Sequence, residues 1–290
     1  MQSVNDHGLP GSPERAVPQA TMTFPDHFSD NSEAYAAYRP VYPEKFIAEL
    51  AELSPGRELA WDCATGNGQA ARLLALHYAR VVATDASVQQ VANAVRHSRI
   101  EYKVSAEDES GLGDACVDLV TVATALHWLD LDRFYAEVNR VLKPGGAVAA
   151  WCYGYASVSP RVDSIVAWFA DARVGRYWPP ERAHVDNEYR DLPFPFEEVT
   201  LERHFMHAEL NREQFIGYIG TWSSVSRTRS TESADPIPEL RARLDRVWNE
   251  EERLPVTWPL YVRAGIARLV KERIDCRKAG PTSTTGDRIL

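Results

Sequence analysis

Apolar and polar positions change period several times along the chain, and the changes mark its elements. In "PEKFIAELAEL" the residues Phe46, Ile47, Leu50 and Leu53 share one side of a helix. Pro43 suits its first turn, where a missing N–H leaves nothing unpaired. "LAWDCAT" is a short apolar run that predicts a strand, and "QAARLLALHY" predicts a helix after a glycine-containing turn. "RVVATD" and "SVQQVANAVRH" repeat the strand–helix pair, with Ser87 placed to cap the helix. "IEYKVSA" predicts a third strand. "CVDLVTVATA" is almost wholly apolar, as a strand buried on both faces should be. "LDRFYAEVNRVL" predicts a helix that ends at Lys143 and Pro144 before Gly145, and "GAVAAWCY" a fifth strand. This alternation implies a parallel sheet with helices on both faces.

Beyond Tyr153 the regular alternation stops. Residues 154–195 are rich in aromatics and prolines, with one predicted helix in "RVDSIVAWFADARVG". "FEEVTLERHFMHAEL" predicts a strand, and "NREQFIGYIGTWSSV" a helix capped by Asn211. "IPELRARLDRVWNEE" predicts an amphipathic helix and "LPVTWPLYVRAGIARLV" a last strand. The expected organisation is a disordered leader over 1–26, a core with its N-terminal cap segment over 27–153, a lid plus the last strands of the same domain over 154–272, and a loose tail over 273–290.

Composition narrows the function class. The formal net charge is -9 and the pI about 5.4, against a general nucleic-acid binder, since phosphate rewards clustered Lys and Arg. Cys63, Cys116, Cys152 and Cys276 have no C-x-x-C spacing, so neither a zinc site nor a disulfide framework is expected. No apolar run approaches the ~20 residues that span a bilayer. The N-terminus lacks an apolar signal core. The expectation is a cytoplasmic monomer or homodimer acting on a small-molecule substrate, with no metal, no nucleic acid and no membrane partner.

The chemistry concentrates in "LAWDCATGNGQAARLL". Gly66, Gly68 and Ala71 satisfy the dinucleotide fingerprint G-x-G-x-x-G/A, and Asp85 lies near the expected ~20-residue offset. Asp62, however, sits inside the strand, four residues before Gly66. A carboxylate there repels a pyrophosphate and attracts a sulfonium or an amino group.

Eight segments then occur in a recognisable order: "YAAYRPVYP", "WDCATGNGQ", "VVATD", "SAEDES", "ATALHWLD", "RVLKPGG", "LPFPFEEV" and "TWSS". Together they resemble the class I S-adenosylmethionine (SAM) dependent methyltransferases. The closer likeness is to the small-molecule branch with the trans-aconitate and the yeast cantharidin-type methyltransferases. The resemblance implies a Rossmann-like α/β fold: a seven-stranded, mostly parallel sheet with a reversed last strand and a C-terminal helical lid insertion. It also implies bound SAM, converted to S-adenosylhomocysteine (SAH). By the same resemblance Asp62 holds the SAM ammonium through its neighbours or a water. Asp85 accepts both ribose hydroxyls, Ala106 and Glu107 meet the adenine, and Tyr38 and Arg39 fold toward SAM, with Arg39 facing the methionyl carboxylate. Ala64, Gly66, Gly68, Gln69, Ala86 and Ala123 complete the cofactor set. Ala64 departs from the pattern, standing where the family has its first loop glycine, and its methyl group needs room near the methionine moiety.

His127 and Trp128 follow the fourth strand, where open α/β sheets place their ligands. His127 has three readings: general base, hydrogen-bond donor to substrate, or structural residue. Methyl transfer is a displacement that gains much from holding its atoms in line, so the base role is the less favoured. Trp128, Trp151, Tyr153, Trp178 and Trp222 are candidates for the substrate pocket wall. Arg173, Arg176, Arg182 and Arg190 are candidates for gripping an acidic substrate. Two rivals stay open at this level. One is an NAD-dependent oxidoreductase, which the loop alone permits. The other is a SAM-binding protein without turnover, which Ala64 keeps in view.

Overall fold

The computed structural model describes residues 39–267. At its centre lies β1 (Leu59–Cys63), all five residues of which are buried. It pairs in parallel with β2 (Arg80–Asp85) on one side and with β4 (Val117–Ala123) on the other. β3 (Ile100–Val104) extends the sheet beyond β2, and β5 (Leu142–Tyr153) extends it beyond β4, both in parallel. β1 therefore sits where the strand order reverses, and the crevice beyond its carboxyl end is the place for a ligand.

The connections obey the sequence pattern. α1 (Glu44–Glu52) follows Pro43 and buries Phe46, Ile47 and Leu50, each contributing roughly 1.5–3 kcal/mol of burial before entropy is charged against it. α2 (Gln69–Leu74) follows β1, and α3 (Val88–Ala92) starts at Ser87, whose side chain accepts the Gln90 N–H. α3 is shorter than the predicted run to His97. Asn93 closes it, and the chain turns at His97 to enter β3. α4 (Leu131–Val141) ends earlier than Lys143 because Leu142 already pairs with Val117. One hydrophobic cluster, with Phe46, Leu74 and Trp151, occupies one face of the sheet, and another, with Trp61, Phe134 and Val138, the opposite face.

The C-terminal half adds a cover and closes the sheet. α5 (Pro160–Trp168) is followed by α6 (Arg182–Asp186), then by β6 (Glu197–Val199) and β7 (Phe205–Leu210). α7 (Arg212–Gly220), α8 (Ser223–Glu232) and α9 (Ile237–Leu244) lead to β8 (Leu254–Ile266). β8 runs antiparallel to β5 and to β6, giving the order β3-β2-β1-β4-β5-β8-β6 with β7 also on β8. The fold is thus Rossmann-like, mostly parallel with one reversed strand. The single strand expected in "FEEVTLERHFMHAEL" is two. β8 is 13 residues long and pairs its first half with β7 and its last three residues with β6. The helix expected over 211–225 also divides. Asn211 and Gln214 form a capping box for α7, but Trp222 has an extended backbone (ψ 140°) and starts α8.

Candidate functional site

The turn after β1 is built from left-handed backbone. Ala64, Gly66 and Gly68 have φ of 52, 58 and 86°. Gly68 has a second reason to be glycine: a Cβ there would lie 2.2 Å from the Tyr102 hydroxyl on β3. Ala64 adopts the glycine-type conformation at a cost of roughly 1–2 kcal/mol.

Two carboxylates hold this turn. Asp62 is fully buried; its Oδ1 accepts the Thr121 hydroxyl at 2.6 Å and its Oδ2 the Thr65 hydroxyl at 2.5 Å. The Ala71 N–H in the first turn of α2 also reaches it. Burial pushes the Asp62 carboxyl up to about 6 against these hydrogen bonds. Asp85, at the end of β2, accepts the Gly66 N–H through Oδ2 and the Ser87 N–H through Oδ1, both at 2.8 Å. A carboxylate has about four acceptor directions, and here two of them bind the chain's own backbone.

Above the turn lies a cavity of about 1000 Å³, at the upper end of small-molecule sites. Ala64, Gly66, Gln69, Asp85 and Ala86 line one side, and Glu107, Ala123, His127 and Trp128 another. Gly68 and the buried Ala106, both expected at the cofactor, line neither this cavity nor its neighbour, and Tyr38 lies outside the described residues. Asp62 does not line the cavity and reaches it only through Thr65. Sequence reasoning missed Tyr42, Thr65, Thr124 and, from the cover, Pro180, Glu181 and Arg227. The first three lie inside the quoted motifs and were within reach of the pattern; the last three come from the irregular half.

The acidic set decides between cofactors. In a dinucleotide site the N–H groups of the turn and the helix N-terminus hold the pyrophosphate. Here the Gly66 N–H is given to Asp85 and the Ala71 N–H to Asp62. A pyrophosphate would meet Asp85 on the cavity wall and the charge of Asp62 behind Thr65, whereas a cationic amino acid and a ribose suit both. Among the described residues no group of three His, Cys, Asp or Glu is placed to hold a metal, and no helix is long and apolar enough to cross a membrane.

A smaller cavity of about 80 Å³ adjoins the first, sharing Thr124, His127 and Trp128 with it. Tyr153, Trp178 and Trp222 line it, together with Tyr155, Arg39 and Arg182. Trp151 is a correction: it is fully buried, packed edge-on against Tyr42 and Phe46, and lines neither cavity. Its place in β5 explains this, because it still pairs opposite Ala123 inside the sheet, while Tyr153 lies past the end of β4.

Arg39 also differs from expectation. It lines the smaller cavity, hydrogen bonds to the Tyr153 hydroxyl and to the Thr221 carbonyl, and stacks near the Tyr153 and Tyr218 rings. Of the four candidate arginines only Arg182 lines a cavity. Its guanidinium lies 4.7 Å from the Tyr155 ring centre and 4.8 Å from that of Trp178, with Asp186 one helical turn away. Arg173 and Arg176 are tied to Glu232, and Arg190 pairs with Glu188 on the surface.

His127 joins the two cavities. Burial, helped by Arg182 and His184, pushes its imidazole down to about 3, so the ring is neutral near pH 7. Its Nδ1 lies 2.7 Å from the Tyr189 hydroxyl.

Comparison with known proteins places this geometry. A family model described as a methyltransferase domain matches residues 61–150. A Dictyostelium discoideum protein named as a methyltransferase is 30% identical over 254 residues, covering 85% of this chain and 96% of that relative. A Saccharomyces cerevisiae protein named as an S-adenosylmethionine-dependent methyltransferase is 28% identical over 131 residues, 42% of this chain and 45% of its own. A solved structure described as a type II methyltransferase from Anaeromyxobacter dehalogenans is 42% identical, covers 80% of this chain and 99% of its own, and superposes with a TM-score of 0.76. With the acidic turn and the reversed strand, these likenesses show that the chain belongs to the class I, SAM-dependent methyltransferases.

Proposed function

We propose that the acceptor is a small acidic molecule and that a carboxylate oxygen receives the methyl group, in line with the small-molecule branch named above. Asp85, Glu107 and the turn around Gly66 would hold SAM, with Asp62 acting on its ammonium through Thr65. SAM supplies a methyl group on a positively charged sulfur, ready for displacement. The chain's own task is to bind the acceptor, aim it and exclude water.

The observation that carries the carboxylate is the wall of the smaller cavity. It sets the Arg182 guanidinium beside a neutral His127. A histidine pushed down to about 3 is a poor base. A phenol or an ammonium must lose a proton before it attacks, whereas a carboxylic acid with an ordinary value near 4 is already ionised at pH 7. Arg182 is partly compensated by Asp186, so it can orient an anion without holding it so tightly that loss of charge in the ester is opposed. The cavity joining the two sites also favours turnover over a scaffold that merely binds SAM.

The test is a panel of small carboxylic acids, phenols and amines with SAM, scored by SAH formation. The expected product is a methyl ester that mild alkali cleaves with release of methanol. A product stable to mild alkali would overturn the carboxylate.

A further inference from the structure

We propose that Tyr189 is a positioning residue: it locks His127 as the neutral tautomer with its proton on Nε2, so that the ring offers the acceptor a hydrogen-bond donor. Tyr189 is fully buried. Its hydroxyl lies 2.7 Å from His127 Nδ1, its hydrogen-bond partner among the described residues. A phenol oxygen has two acceptor lone pairs and one proton. Buried away from solvent, that proton has no other acceptor among the described residues. The phenol proton then goes to Nδ1, and Nδ1 must accept it. A neutral imidazole whose Nδ1 accepts carries its proton on Nε2. Protonating Nδ1 would leave the buried phenol proton without an acceptor.

Nε2 makes no hydrogen bond among the described residues, and the ring lines both cavities. The donor therefore faces the space between the proposed methyl donor and the proposed anion site.

The backbone supports a role beyond filling space. Glu188 and Tyr189 are consecutive non-glycine residues with φ of 58 and 61°. Such conformations persist where the surroundings over-determine them, and they gather at functional sites. Here the Tyr189 N–H bonds to the His184 carbonyl at 2.8 Å. Its own carbonyl accepts from Arg263 Nη1 of β8 at 3.1 Å, and that same nitrogen bonds Leu192 O at 2.6 Å. The segment that carries Arg182 at its start thus ends on the hydroxyl that sets His127. Arg182 itself, and through Tyr189 the orientation of His127, are thus set by one clamped arm.

The identity of what meets Nε2–H rests on the acceptor reading above; the tautomer does not, and it is measured without acceptor. The full chain is labelled with ¹⁵N-histidine, and long-range ¹H–¹⁵N correlations are recorded at pH 7, with His127 assigned by the signals lost in H127Q. The expected pattern is a protonated Nε2 and an unprotonated Nδ1. A proton on Nδ1, in either a neutral or a charged ring, would overturn the lock. In Y189F, kcat/KM for the acceptor should fall about three- to tenfold, the value of one neutral hydrogen bond, while the Kd for SAM by calorimetry stays unchanged. Unchanged kcat/KM in folded Y189F would also overturn the positioning role. If Y189F does not fold, the native spectrum still decides. An alkali-stable product together with the expected tautomer would remove the acceptor reading and leave the lock standing.

Discussion

Asp62 is where the proposed function costs stability, and the size of that cost is calculable. Its carboxyl moves from the ordinary 3.8 to about 6 in the fold, chiefly through burial. At 1.36 kcal/mol per pH unit, that interval corresponds to about 3 kcal/mol. The sign follows from proton counting. Between 3.8 and about 6 the folded chain binds a proton that the unfolded chain has released, so stability falls as pH rises through this window. Above it the charged carboxylate sits buried at full penalty. Asparagine has the shape of the protonated acid and can serve Thr65 and Thr121 with one acceptor and one donor, the hydroxyls rotating to suit. Asp62→Asn should therefore match the native protein near pH 4 and exceed it at pH 7 by about 1–3 kcal/mol, raising Tm by about 2–4 °C for each kcal/mol. The same variant should bind SAM at least tenfold more weakly, because the charge offered to the ammonium is gone. Urea denaturation at pH 4, 5, 6 and 7, with calorimetry for SAM at pH 7, reads both effects. A variant less stable than the native chain at pH 7, or a stability difference that does not change with pH, would refute the reasoning.

Asp85→Ala removes the acceptor of the Gly66 and Ser87 N–H groups, and should weaken SAM at least tenfold and lower stability by about 1–3 kcal/mol; unchanged SAM affinity by calorimetry in a folded variant would take Asp85 out of the site. Ala64→Gly relieves a left-handed alanine but adds the folding entropy of glycine, so stability should change by between zero and a gain of about 1 kcal/mol. SAM affinity should hold or tighten, and a large loss would mean that the alanine methyl packs productively. Arg182→Met keeps the length and loses the charge, and should raise KM for the acid acceptor at least tenfold while Kd for SAM stays fixed; an unmoved KM would exclude Arg182 from acceptor binding.

Much of the sheet was legible because its strands obey simple periods. β1, β2 and β4 are apolar runs that alternate with helices, and that alternation allows few arrangements. The three residues Gly66, Asp85 and Glu107 of the larger cavity were legible for the same reason: each lies at or just past the carboxyl end of a recognisable strand. The acceptor side was not. Trp151 and Tyr153 lie two apart on one face of β5, and only their distance from the end of β4 separates a core residue from a cavity wall. That distance is a matter of register, which a single strand does not encode. Arg182 looked like Arg173, Arg176 and Arg190 because the difference lies in their partners. Glu232 is remote in sequence from Arg173 and Arg176 yet binds both, and only the folded chain shows which cation faces a cavity.

Backbone strain follows the same division of labour. Among the described residues six non-glycine positions have positive φ, and four of them, Ala64, Thr124, Glu188 and Tyr189, line the cavities or form the arm behind His127. Thr124 is the most telling, since a β-branched residue is a true outlier there. It ends β4, bonds through its N–H to the Trp151 carbonyl at 2.7 Å, and contacts the Tyr42 hydroxyl at 3.2 Å. An extended backbone at Thr124 would carry the chain onward along the strand. The left-handed one turns it, and Ala125, His127 and Trp128 line the same cavity as Cys63 and Ala64 at the end of β1. Strain of this kind is stable only where neighbours on other elements hold it. Those neighbours are Asp85 for the turn, Trp151 for Thr124 and Arg263 for Tyr189, each from a different strand. The rigid sheet thus holds both the proposed cofactor turn and the proposed acceptor arm in conformations their own sequences do not prefer, and it fixes the distance between them. For a reaction that depends on alignment more than on proton transfer, a fixed distance is the catalytic contribution the sheet can make.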